Sequence, residues 1–176
     1  MASFKEIVTK AVIGKAKKTS VSKFSVTPNE VPDTVLGCWV INHTFEGSSQ
    51  NGAVVIHGGF VVNVWYSYNN DTKTAVATEH FTYEDKMNIK LKDGAVLTDA
   101  SEIIVRSLTQ PTVTDVSVEN GVVQLSIEKE LGVEIVGNTM IKVSVEEEED
   151  DYDVIEDLDS EEVDQVMKEI DEDYLK

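Results

Sequence analysis

The chain of 176 residues has room for one packed domain and one unusual segment, and is too short for two catalytic domains. Its 33 acidic residues against 15 basic ones give a formal net charge of -18, which repels phosphate backbones and anionic lipid heads. Arg106 is the only arginine, so the forked donor favoured for phosphates and base edges is nearly absent, and neither nucleic acid nor membrane insertion is expected.

Apolar runs such as Phe60 to Val62 stop far short of the roughly 20 residues of a spanning helix. The first 18 residues carry no continuous apolar stretch and no small-residue cleavage site, so they do not read as a secretory signal, and folding in a cytoplasm is expected. Residues 4 to 18 place Phe4, Ile7, Val8, Ala11 and Val12 at the spacing of one helix face. This predicts a short amphipathic N-terminal helix or arm over residues 1–20.

From 21 to 145 the period changes to two, with strand-formers punctuated by Gly, Asn, Asp and Pro. Candidate strands are 21–26, 35–45, 53–68, 72–83, 86–92, 102–108, 112–118, 121–131 and 133–145. In the third, Val54, Ile56, Phe60, Val62, Val64, Tyr66 and Tyr68 share one face, while His57, Asn63 and Ser67 share the other. Gly58 and Gly59 interrupt it and suggest a bulge or bend. Asn69-Asn70-Asp71, Asp93-Gly94, Asn120-Gly121 and Gly137-Asn138 read as turns, Asn120-Gly121 being the strongest hairpin signal. The expected fold is mainly β, an antiparallel β-sandwich or flattened barrel, whose edge strands are places where chains pair with chains.

Residues 146–176 hold 17 acidic residues and two lysines, a net of -15, while the first 24 residues hold six lysines and one glutamate. A chain polarised in this way permits head-to-tail attraction between copies. Glu146 to Asp151 is an acidic run expected to be disordered. Beyond it, Asp159 and Glu162 match a capping box with Leu158 and Val163 in the staple positions, and Val163, Val166, Met167, Ile170 and Tyr174 form an apolar stripe. A helix of that length alone in water is marginal and calls for a docking surface.

Little in the chain points to catalysis. His43, His57 and His80 lie on separate candidate strands with no ligand spacing, so surface or edge histidines are the default against a zinc site. The acidic tail lacks the loop glycine and terminal glutamate of a calcium loop, and there is no phosphate-binding, nucleophile-elbow or dinucleotide motif. No enzyme activity, metal or cofactor is expected. The lone Cys38 excludes an internal disulfide and leaves an intermolecular one open; beside Trp39 in an apolar strand it also reads as a small buried hydrophobe. The alternative reading is a carbohydrate- or small-ligand-binding β-sandwich with Trp39, Trp65, Tyr66 and Tyr68 as a stacking platform, which strand alternation would leave incomplete because Trp65 and Tyr66 face opposite ways.

Leu36-Gly37-Cys38-Trp39-Val40-Ile41-Asn42-His43, Asn63-Val64-Trp65-Tyr66-Ser67-Tyr68 followed by Thr72-Lys73-Thr74, Lys5-Glu6-Ile7-Val8-Thr9-Lys10-Ala11-Val12, Gln110-Pro111 and Glu134-Ile135-Val136-Gly137 occur in the order in which they stand in CotE. The chain resembles that family of outer spore coat morphogenetic proteins of endospore-forming bacteria over essentially its whole length. The resemblance implies a non-enzymatic scaffold made in the mother-cell cytoplasm and deposited in the spore coat, at the outer coat or the inner–outer coat interface. It implies self-association through the folded body, 21–145, and recruitment of other coat proteins through 146–176, with the coat basement layer and outer coat clients as partners. Carried onto this sequence, the Trp39 and Trp65 to Tyr68 stretches belong to the body and 146–176 is the recruiting segment. With the apolar residues of the N-terminal segment, the self-assembly candidates are Phe4, Ile7, Val8, Val12, Trp65, Tyr66 and Tyr68, and the apolar residues expected to meet partners are Leu158, Val163, Val166, Met167, Ile170 and Tyr174.

Overall fold

The computed structural model describes residues 3–92 and 94–145. The chain divides into two compact units, Glu6–Val143 and a second made of Met1–Lys5 with Ser144–Lys176; of the second only residues 3–5 and 144–145 are described. Among the described residues there are six strands and no helix: β1 (Ser3–Val26), β2 (Thr34–Gln50), β3 (Ala53–Tyr68), β4 (Lys73–Met87), β5 (Glu102–Glu119) and β6 (Val122–Val145). They form two three-stranded sheets, ordered β2-β3-β4 and β1-β6-β5.

The expected N-terminal helix is a strand. The apolar residues at helical spacing do not form a buried face: Phe4 is 66% and Val8 68% exposed, whereas Ile13, outside that pattern, is buried. Ile7, Val8, Thr9, Val12 and Ile13 crowd β-branched side chains beside Gly14, a composition that loses rotamer freedom in a helix and fits a pleated surface. Side-chain contacts join Lys15 to Glu134, Ser20 to Lys129 and Ser25 to Gln124, which is antiparallel pairing along β6. Ile13 faces inward, as do Ala16, Ser20, Phe24 and Val26, so the strand changes phase at Gly14, where a bridge to Leu91 forms.

Several expected breaks lie inside continuous strands. Gly58 and Gly59 pair with β4 without a shift, and the irregularity falls on β2 between Ile41 and Thr44, where Asn42 adopts φ 55°. Gly137-Asn138 is part of β6, where a side chain at 137 would collide with Ile13. The expected strands 102–108 and 112–118 are one edge strand, β5. Its register shifts on either side of Thr109 place Pro111 at an irregularity, where the missing N–H costs no ladder bond. Residues 88–92 join no extended ladder. They belong to the crossing between sheets, and Ile89, Leu91, Ala95 and Leu97 pack against the core.

Two two-residue turns with positive φ at both positions close the hairpins: Asn120-Gly121, as expected, and Asn51-Gly52, which connects β2 to β3. Asn69, Asn70 and Asp71 all have positive φ in the β3–β4 turn. The two sheets share a core in which Phe60, Val62, Val64 and Tyr66 of β3 meet Val123, Leu125 and Ile127 of β6. A second cluster joins Val54 and Ile56 to Ile13, Leu131, Val133 and Ile135. Alternation along β3 and β6 therefore fixes which residues are left to face outward.

Candidate interaction surfaces

Where β3 turns Val62, Val64 and Tyr66 inward, it turns Val61, Asn63 and Trp65 outward. Register aligns Trp65 with Gly37 and Val76, Asn63 with Trp39 and Thr78, and Val61 with Ile41 and His80. Trp39 and Trp65 are each 42% exposed and flank Gly37, whose missing side chain leaves the gap between the two indoles. Val76 and Ile41 are also exposed. None of these positions carries an acid, a lysine or an arginine, in a chain whose net charge is -18. Beneath the indoles Asn63 is 9% exposed and accepts a 2.6 Å hydrogen bond from the Thr78 hydroxyl.

Tyr66 and Tyr68 do not share this face. Tyr66 is buried, its hydroxyl donating to the Glu30 carboxylate at 2.6 Å, and Tyr68 packs on the same core. Phe4, Ile7 and Val8 are exposed on β1, and Val12 is half-buried. Leu158, Val163, Val166, Met167, Ile170 and Tyr174, with the helix expected there, lie outside the described residues.

Between the two core clusters runs a polar chain that no sequence motif marks. Lys129 occupies an inward position of β6, between Ile127 and Leu131, with 5% of its surface exposed. Its ammonium donates to Ser20 Oγ at 2.7 Å, pairs with Asp85 Oδ2 at 2.8 Å and lies 4.1 Å from the centre of the Tyr83 ring. The Tyr83 hydroxyl is 2.7 Å from His43 Nε2, and His43 Nδ1 is 3.3 Å from Gln110. Burial, then the nearby Asp85 carboxylate, push the Tyr83 phenol up to about 12. Burial lowers His43 from its ordinary 6.5; the Gln110 hydrogen bond pulls the other way, and the Lys129 charge adds a smaller lowering. Gly58 makes this chain possible, because a side chain there would run into the Tyr83 ring. The legible signal was a lysine inside the strict alternation Val123, Leu125, Ile127, Lys129, Leu131, Val133, Ile135.

The three histidines do not converge. His43 faces inward to Tyr83, His57 pairs with Glu84 at 3.5 Å, and His80 lies on the outer face beside Gly59. Among the described residues no three His, Cys, Asp or Glu side chains form a metal-holding group. Cys38 is half-buried where β2 approaches Val116 to Val118 of β5, and burial raises its thiol. That lowers the thiolate fraction available for disulfide exchange at neutral pH.

Residues 3–176 match the family model for outer spore coat protein E. The chain belongs to the CotE family. A place in the spore coat follows from that membership. No curated protein and no solved structure matches the chain. In this CotE family member the face bearing Trp39 and Trp65 leaves both indoles partly open to water.

Proposed function

We propose that the protein is a non-enzymatic scaffold of the spore coat that associates with copies of itself around the developing endospore and recruits other coat proteins. It would be made in the mother-cell cytoplasm and then deposited in the coat. The observation that carries the self-association reading is the uncharged patch around Trp39 and Trp65 on the outer face of β2-β3-β4. An apolar patch exposed to water marks a contact surface, and aromatic anchors dominate such contacts. On a strongly acidic chain it is also where two like-charged copies meet at least electrostatic cost. Face-to-face stacking of Trp39, Trp65, Ile41 and Val76 gives a self-complementary, two-fold contact. Recruitment is assigned to 146–176, with Leu158, Val163, Val166, Met167, Ile170 and Tyr174 as the apolar residues that meet partners.

Sedimentation of the full chain tests the pair. Replacing Trp39 and Trp65 by serine is expected to weaken pairing by at least about 30-fold, the loss of one interface hot spot. Unchanged pairing contradicts the assignment.

The two indoles on one face also favour a second reading, a stacking platform for the apolar face of a neutral sugar ring. Titration with neutral oligosaccharides, read by tryptophan fluorescence, separates the readings: saturable quenching in wild type that is lost in the double serine variant supports the platform.

A further inference from the structure

A face-to-face contact closes on itself and stops at two copies, so a coat-sized array needs a second, non-self-complementary contact. The opposite side of the molecule carries a groove suited to that. On the outer face of sheet β1-β6-β5 a depression of about 350 Å³ is lined by Lys15 and Lys17 of β1, Arg106 and Leu108 of β5, and Gly132 and Glu134 of β6. Gly132 forms its floor, where Leu108 lies so close that a methyl group at 132 would sit 3.0 Å from it. Leu108 is nonetheless 50% exposed. Lys15 pairs with Glu134 at 3.1 Å, and Lys17 reaches Glu130 at 3.8 Å, a carboxylate that the Thr19 hydroxyl already engages at 2.8 Å. Arg106, the chain's only arginine, has no ion-pair partner among the described residues. The groove thus combines an apolar floor with three cations, one of them a free fork shaped for a carboxylate.

We infer that this groove binds the acidic C-terminal segment, residues 146–176, of a second copy of the chain. This rests on the self-association reading above and names a second contact for it. The complementarity is of charge and of pattern: the segment has a net charge of -15, and it sets Val163, Met167 and Ile170 among carboxylates. Its 31 residues reach about 100 Å when extended, enough to cross to a neighbouring molecule. A groove of this volume seats only a few of its side chains, which leaves the remainder of each segment for other coat proteins. Because groove and segment differ, each copy gives one contact and receives one, and growth does not close.

The test is sedimentation velocity of full-length chains at low ionic strength, with far-UV circular dichroism to verify folding. Wild type is expected to grow beyond the pair. A groove variant, Lys15→Glu with Lys17→Glu and Arg106→Glu, and a segment variant, Val163→Ser with Met167→Ser and Ile170→Ser, are each expected to stop at the pair. Mixed together they are expected to grow again, because each supplies what the other lacks. Leu108→Ser, which leaves all charges in place, is expected to weaken growth about tenfold, the loss of one buried leucine contact. If either triple variant grows like wild type, or the mixture does not recover, the groove assignment is overturned while pairing stands. If the groove variant is monomeric and the mixture forms complexes, the groove assignment holds and pairing through the tryptophan face falls.

Discussion

Lys129 shows how one residue shapes the interior. Its ion pair with Asp85 is shielded from water, and removing one partner strands the other. Asp85→Ala is expected to cost about 3–5 kcal/mol in chemical denaturation, whereas Lys129→Met combined with Asp85→Leu is expected to be near neutral or stabilising. A large loss in the double variant would contradict this view of the pair. Gly58→Ala is expected to cost about 1–3 kcal/mol, because the added methyl displaces the Tyr83 ring from His43. His43 sets the pH response. Its folded-state pKa is depressed, so its contribution is present above the ordinary 6.5 and is lost as pH falls through the lower folded value. Wild-type stability should therefore begin to decline below pH 6.5, before the carboxylates titrate, and His43→Gln should remove that early part of the decline. Cys38 works in the other direction of reactivity: alkylation of the native protein at neutral pH should be slower than that of the unfolded chain, since burial holds the thiol protonated.

Strands of 15 to 24 residues are long against the usual 3–10, and they explain what the sequence concealed at the scale of elements. Alternation in 53–68 was legible because both faces of β3 are constrained, one by the core and the other by the outer surface. Asn120-Gly121 was legible because a tight hairpin demands positive φ at two successive residues. The same chemistry at Asn51-Gly52 passed unmarked, within a polar stretch that hid the end of β2. Gly132 and Gly137 resembled punctuation, yet they are strand positions emptied for Leu108 and Ile13. Residues 4–18 misled because five apolar side chains matched a helical spacing by coincidence, while the partner strand β6, distant in sequence, decided the conformation. Gly121→Ala is expected to cost about 1–2 kcal/mol, since Gly121 sits at φ 79° and a side chain strains that region. Loss of stability of that size with an unchanged β-type circular dichroism spectrum would confirm the turn's role.

At the scale of the molecule, a nearly neutral body carries an uncharged aromatic patch on one sheet and a basic groove on the other, joined to a segment of opposite charge to the groove. The tryptophan stretches were visible in the sequence. Their division was not, since only pairing register places Trp39 beside Trp65 and sends Tyr66 and Tyr68 into the core. The groove was not legible because its lining joins the β5–β6 hairpin to β1, which lies far from it in the chain. Electron microscopy of the purified full-length protein tests the central claim most directly. The account predicts ordered sheets or fibres, and dispersed particles of single-chain size at every concentration would contradict it.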